Sequence, residues 1–122
     1  MGTFSTDCVV QNHVNRERRA RISKILVDTG SEHTWISSTV LDKIGVAREK
    51  KDVLFVMANG QQITRTLGFA IIRVGGHFTI DEVVFGEKGD VMLLGARTLE
   101  GLNLVVDTQR KKLVAAGPIP AA

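Results

Sequence analysis

The stretch ILVDTGSEHTWI, from Ile25 to Ile36, decides how the rest of the chain is interpreted. Three apolar residues lead directly into Asp28-Thr29-Gly30-Ser31, and the chain turns apolar again at Trp35. The apolar run predicts a strand, 22–28, that is buried on both faces, and the glycine behind it allows a sharp turn. Asp28 is then either a plain turn residue or a carboxylate presented at a functional site.

The composition predicts one mostly β domain. Hydrophobic residues make up 43% of the 122 residues and charged residues 24%, which is ordinary for a globular domain. No apolar run approaches the roughly 20 residues that span a bilayer, so we expect no membrane association. Apolar runs between turn signals predict strands. The predicted strands are 6–12, 22–28, 33–36, 53–57, 61–67, 69–74, 78–85, 90–95, 102–107 and 111–117.

Two segments, 24–46 and 90–106, share one plan of apolar strand, glycine corner, short helix and glycine stop. Ser37 or Ser38 is expected to cap the first helix, and Gly45 to end it. Gly101 is expected to end the second helix. The repetition predicts two related halves, of which only the first carries Asp-Thr-Gly.

Between these segments, Ala58-Asn59-Gly60 predicts the tip of a hairpin, because asparagine and glycine both tolerate positive φ. Taken alone, this hairpin is a plain surface turn. In its context, the sequence resembles the retropepsin-like aspartic proteases, which include retroviral proteases and small single-domain relatives in bacteria and archaea. The resemblance covers roughly residues 6 to 114 and is carried by LVDTGS (26–31), MANGQ (57–61) and LLGARTLEGLNLVVD (93–107).

The resemblance implies a closed, barrel-like acid-protease fold with two short helices and pseudo-two-fold halves. One such domain would occupy residues 1–122, with a flexible tail at 117–122. It also implies a homodimeric aspartic endopeptidase, because one chain supplies one catalytic aspartate. Two Asp28 carboxylates would then share a proton and activate a water molecule against the peptide bond.

The resemblance assigns roles to single residues. Asp28, Thr29 and Gly30 would form the catalytic loop, with Thr29 bonding across the dimer axis. Ser31 would donate a hydrogen bond to Asp28, so Ser31→Ala is expected to move the acid limb of activity to higher pH. The substrate-binding residues would be Ser31, Ala58, Asn59, Gly60 and Leu94, with 58–60 forming a flap that closes over the peptide.

For three residues next to the catalytic loop, the sequence allows more than one role. A pair between Glu32 and Arg97 is possible, although Arg97 stands one residue later than the family's arginine. His33 and Trp35 are candidates for lining the cleft, and core packing is the alternative for Trp35.

Two other functions compete with the peptidase. One is a catalytically silent domain of the same fold, used for dimerisation or peptide binding. The other is a nucleic-acid-binding domain centred on the basic run Arg16–Arg21. We favour a solvated hairpin loop for that run, because no aromatic residue interleaves the arginines. The expected partners are therefore a polypeptide substrate and a second copy of the chain.

No cofactor or metal is expected, because His13, His33 and His77 lack metal-ligand spacing. Cys8 is the sole cysteine, which rules out an internal disulfide. A chain without disulfides fits a reducing compartment, and we expect a cytoplasmic protein.

Overall fold

A computed structural model describes residues 4–121 of the chain. Short strands dominate this part, and both helices are short, which confirms the prediction of a mostly β chain with two short helices. The strands are β1 (Phe4–Gln11), β2 (Arg19–Val27), β3 (Thr34–Ser37), β4 (Lys50–Val56), β5 (Gln62–Val74), β6 (His77–Gly86), β7 (Leu93–Leu94), β8 (Leu104–Asp107) and β9 (Lys112–Ala115). The helices are α1 (Ser38–Lys43) and α2 (Ala96–Leu102).

Seven strands form one sheet in the order β1-β2-β7-β3-β6-β5-β4, and β1 also pairs with β5. The additional pairing joins the two ends of the row, so that all of these strands except β4 lie in a ring. β4 is attached to the ring through β5, and β8 and β9 form a separate two-stranded sheet. The main apolar core includes the fully buried side chains of Ile36, Leu41, Ile72 and Leu94.

The first helix follows its sequence signals. The Ser37 side chain caps α1 by accepting a hydrogen bond from the Thr39 N–H at 3.3 Å, which confirms the cap. Gly45 follows the helix with φ +77°, a conformation that suits glycine. Leu41 lies fully buried in the middle of the helix and attaches it to the core.

Two glycines were misassigned as interruptions. Gly68 lies inside β5, which continues through the expected break between 61–67 and 69–74. A Cβ there would lie 2.4 Å from the Ala47 carbonyl oxygen, so close packing explains this glycine. Gly101 lies inside α2, where a Cβ would lie 2.4 Å from Thr79 Oγ1. The helix ends instead at Asn103, which is left-handed with φ 56°.

Two strand predictions also needed correction. β2 begins at Arg19 and is exposed along much of its first half, so only its last part is a buried strand. The strand expected at 90–95 is reduced to the two residues of β7. Residues 116–121 carry no regular structure, and Ala122 lies outside the described residues.

Candidate active site

Asp28 lies where two parallel strands end together. β2 pairs with β7 in parallel, with Leu26 opposite Leu93 and Val27 opposite Leu94. The Asp28 N–H extends this pairing by donating to the Leu94 carbonyl oxygen at 3.0 Å. The first residue after β2 is thereby tied to the strand that precedes the second glycine corner.

The turn behind Asp28 is organised by its own backbone. The Gly30 N–H donates to Asp28 Oδ1 at 2.9 Å, and the Ser31 N–H donates to the Asp28 carbonyl oxygen at 3.2 Å. A Cβ on Gly30 would lie 3.2 Å from Asp28 Oδ1, a tight approach that favours glycine. Asp28 remains partly exposed and Thr29 is exposed, so the turn faces outwards.

The two glycine corners pack directly against each other. The Ala96 N–H donates to the Ser31 carbonyl oxygen at 2.7 Å, and the Arg97 N–H donates to the Glu32 carbonyl oxygen at 3.1 Å. A Cβ on Gly95 would lie only 2.3 Å from the His33 carbonyl oxygen, so only glycine allows this approach. The start of α2 therefore supports the loop that carries Asp28.

A buried hydroxyl network lies beneath this contact. The Gly95 N–H donates to Thr34 Oγ1 at 3.0 Å, and Thr98 Oγ1 donates to Asp81 Oδ2 at 2.9 Å. Thr34 and Thr98 also bond to each other and are both fully buried. Since Thr98 donates to Asp81, Thr34 is the donor of the bond between the two hydroxyls. The network connects β3, α2 and β6.

A cavity of about 870 Å³ opens beside Asp28. This volume lies within the range of protein sites that take small molecules or side chains. One wall is the β4 side of the β4–β5 hairpin, residues 53–58, and another is residues 89–91 with Leu93. Phe55, on the first wall, packs against Trp35 with ring centroids 5.3 Å apart. Trp35 both lines the cavity and is largely buried, with 8% exposure.

The tip of the β4–β5 hairpin is a tight turn. The Gly60 N–H donates to the Met57 carbonyl oxygen at 2.8 Å, and Asn59 Oδ1 accepts from the Gln61 N–H at 2.9 Å. Gly60 has φ +84°, as the turn signal predicts, whereas Asn59 does not adopt a positive φ. All three tip residues are exposed, and of these Ala58 lines the cavity together with Asp28.

A charged cluster lies at the edge of the cavity and centres on Glu82. Its carboxylate bonds to Lys50 Nζ, to His33 Nε2 at 3.1 Å and, more loosely, to Arg97 Nη1 at 3.7 Å. The hydrogen bond from Lys50, with a further one from His33, lowers the pKa of Glu82 against the opposing effect of burial. The Arg97 side chain therefore contacts His33 Nε2, at 3.3 Å, and Glu82, and only the Arg97 backbone N–H bonds to Glu32.

Ser31 lines the cavity as expected, but its predicted hydrogen bond to Asp28 and the predicted position of Leu94 differ from the structure. Ser31 Oγ donates to the His33 carbonyl oxygen at 3.1 Å, and Gly30 supplies the donor to the Asp28 carboxylate instead. Leu94 is fully buried in the core, whereas Leu93 lines the cavity. Successive strand residues face opposite sides, so Leu93 faces the cavity and Leu94 faces the core.

The basic run Arg16–Arg21 is partly held by contacts with the rest of the chain. In the Arg16–Arg21 run, Arg18 donates to the Lys43 carbonyl oxygen and Arg21 forms an ion pair with Asp7. Residues 4–121 contain no group of three acidic, histidine or cysteine side chains placed to hold a metal ion. Within the same range, neither helix has the length and apolar character needed to cross a membrane.

Comparison with known proteins identifies the protein family to which the chain belongs. The family model described as "gag-polyprotein putative aspartyl protease" matches residues 12–101, which is more than half of the chain. The matched segment contains the Asp28 turn, the hairpin tip and the Gly95 corner. A search of curated proteins returned no match to the chain.

Proposed function

Because the chain belongs to the gag-polyprotein aspartyl protease family, we propose that it is a homodimeric aspartic endopeptidase. The observation that carries the proposal is the Asp28 carboxylate, held on a glycine turn and lining a cavity of about 870 Å³. One chain supplies one such carboxylate. The second one comes from Asp28 of a second copy, with the two exposed turns facing each other.

The proposed mechanism uses water as the nucleophile. Two carboxylates about 3 Å apart cannot both ionise easily, so the pair holds one proton and titrates as a unit. The ionised member removes a proton from a water molecule, which attacks the scissile carbonyl carbon. The protonated member stabilises the oxygen on which negative charge develops. Thr29 and Gly30 complete the catalytic loop, and Thr29 bonds across the dimer axis.

The proposal extends to the fold and to the cavity walls. We infer that the ring of strands is the closed, barrel-like acid-protease domain of residues 1–122, with the Gly30 and Gly95 corners marking its pseudo-two-fold halves. The β4–β5 hairpin acts as the flap, with Ala58, Asn59 and Gly60 at its tip. Apolar walls at Phe55 and Leu93 favour apolar peptide side chains.

A cytoplasmic location is part of the same proposal. Its support is that the one cysteine, Cys8, is free and buried, so the chain has no internal disulfide and suits a reducing compartment.

The test compares wild type with Asp28→Asn on a peptide library between about pH 4 and pH 7, a range around the values at which carboxylate pairs titrate. We expect wild type to cleave and Asp28→Asn to lose cleavage while remaining folded. Asp42→Asn is the control, because Asp42 is an exposed carboxylate on α1, outside the cavity.

Two outcomes contradict the peptidase. Equal cleavage by wild type and Asp28→Asn would identify a contaminant. Silence of wild type at concentrations where its dimer is demonstrated would favour the silent dimerisation or peptide-binding domain.

A further inference from the structure

An ion pair between Arg65 and Asp90 joins the two walls of the cavity. Arg65 lies on β5 opposite Val53, which is itself a cavity residue on β4. Arg65 Nε donates to Asp90 Oδ2 at 2.7 Å, and its Nη2 donates to Asp90 Oδ1 at 3.0 Å. Two parallel hydrogen bonds of this kind fix orientation as well as distance. The side chains are only 14% and 15% exposed, so water screens the pair weakly.

Asp90 also shapes the loop on which it lies, residues 87–92. Its Oδ2 accepts a hydrogen bond from the Glu87 N–H at 2.7 Å, and the Asp90 N–H returns one to the Glu87 carbonyl oxygen at 2.9 Å. Gly89, between them, has φ +91°. Residues 89–91 line the cavity. The Asp90 carboxylate therefore bonds both to the backbone of its own loop and to Arg65 on the hairpin.

We propose that Arg65 and Asp90 form a positioning pair, which holds the β4–β5 hairpin and the 87–92 loop at a fixed separation across the substrate cavity. This inference rests on the proposed peptidase function for its effect on substrate, but the coupling of the two walls can be measured without it. The pair acts through the walls that it orients and takes no part in the chemistry at Asp28.

The charges strengthen the case for this role. The hydrogen bond from Arg65 holds the pKa of Asp90 below its usual range, so the carboxylate stays ionised in mild acid, where an aspartate pair works. Asp90 lines the cavity, and Arg65 neutralises it there. Without Arg65, the wall would present an unpaired negative charge. Such a wall would disfavour neutral peptides relative to peptides that carry lysine or arginine.

The first experiment measures amide hydrogen exchange in the free protein. In Asp90→Asn we expect faster exchange at Met57 and Gly60, whose N–H groups bond within the hairpin and do not touch Asp90. In Arg65→Met we expect faster exchange at Asp90. Arg21→Met is the matched control, because it breaks an exposed ion pair with the same 2.7 Å N–O distance outside the cavity.

The second experiment measures peptide cleavage by the same variants. For neutral peptides, Arg65→Met and Asp90→Asn should raise KM about tenfold, equivalent to about 1.4 kcal/mol, with little change in kcat. In Arg65→Met alone, the KM rise should be smaller for peptides with lysine or arginine. The exchanged pair Arg65→Asp with Asp90→Arg should recover part of the loss.

The possible outcomes test the Arg65–Asp90 positioning pair and the peptidase function separately. Unchanged exchange at Met57 and Gly60 in Asp90→Asn would overturn the pair, and so would an unchanged KM in variants whose exchange has risen. Absence of cleavage by wild type would refute the peptidase, while the exchange experiment would still decide whether the walls are coupled. Equal effects in Arg21→Met would reduce the pair to a general contribution to stability.

Discussion

At the residue scale, the hydrogen bond to the Asp28 carboxylate comes from a backbone N–H. Gly30 donates it at 2.9 Å, while Ser31 Oγ bonds to the His33 carbonyl oxygen. The expectation that Ser31→Ala shifts the acid limb of activity therefore loses its structural basis. We now expect Ser31→Ala to leave that limb in place, because the donor that favours the ionised carboxylate remains. The pH dependence of kcat/KM measures this.

A control for this prediction must disturb the carboxylate itself. Gly30→Ala places a Cβ 3.2 Å from Asp28 Oδ1 and should displace the acid limb or reduce activity. A shift to higher pH in Ser31→Ala would show that the hydroxyl reaches Asp28 in the working dimer. It would restore the role first expected from the sequence.

Thr98 is the residue whose loss should cost most stability around the site. Its hydroxyl bonds to Thr34 and donates to Asp81, and the side chain is fully buried. Thr98→Val keeps the shape but leaves both partners without their bond, which should lower the free energy of unfolding by about 1–3 kcal/mol. Denaturant titration measures the change. Thr64→Val on the exposed side of β5 is the control and should have little effect.

At the scale of elements, two hairpin turns allow a matched comparison. Gly60 has φ +84° and Gly75 has φ +58°, and a Cβ at either position would meet nothing within 4 Å. Replacement by alanine should therefore cost each hairpin about 1–2 kcal/mol from backbone strain alone. Only the hairpin of Gly60 borders the cavity, so we expect Gly60→Ala alone to raise KM. Equal KM values for both variants would contradict the flap.

The glycines also show which element boundaries the sequence predicts. Gly45, Gly60 and Gly75 adopt positive φ where a turn signal was expected, because the backbone itself demands it. Gly68 and Gly101 are glycines for another reason, since Ala47 and Thr79 leave no room for a side chain. That crowding comes from parts of the chain more than 20 residues away. A local sequence pattern cannot indicate this crowding, so both glycines were interpreted as ends of secondary-structure elements.

At the scale of the whole molecule, the local features of the site could be predicted from the sequence, whereas the contacts between distant residues could not. The Asp28 turn and the hairpin tip are local and were predicted. The Arg65–Asp90 ion pair and the His33–Glu82 hydrogen bond join residues 25 and 49 positions apart, and nothing local marks either partner. The displacement from Leu93 to Leu94 has the same origin, because the pairing of β2 with β7 decides which residue faces the cavity.

The stability of the whole fold should fall in acid because of Glu82. Its pKa is lowered in the folded protein, so its stabilising effect is present above the unfolded value of 4.5 and is lost as pH falls through the lower folded value. We expect the free energy of unfolding to drop below about pH 4.5. Glu82→Gln should remove part of this dependence and cost about 2 kcal/mol at neutral pH. Denaturant titrations at several pH values measure both.

Glu100→Gln is the control for Glu82, because Glu100 is an exposed acidic residue on α2. Its pH dependence of unfolding should follow wild type. A Glu82→Gln variant with an unchanged slope would show that other carboxylates cause the loss in acid. The working range of the proposed peptidase should thus be bounded on its acid side by stability as well as by the proposed pair of Asp28 carboxylates.

The dimer is the largest unit that the proposal requires, and the β8–β9 hairpin is where we expect it to form. Within residues 4–121 these two strands pair only with each other, and Val105 on β8 is 47% exposed. Unpaired strand edges with exposed apolar side chains favour pairing with another chain. Val105→Asp should weaken dimerisation at least about tenfold, or about 1.4 kcal/mol, in sedimentation velocity. Activity should return as protein concentration rises, since the dimer forms by mass action.

Val14→Asp is the control, because Val14 is 83% exposed in the β1–β2 loop. Equal weakening by both variants, or none by Val105→Asp, would place the dimer contact elsewhere.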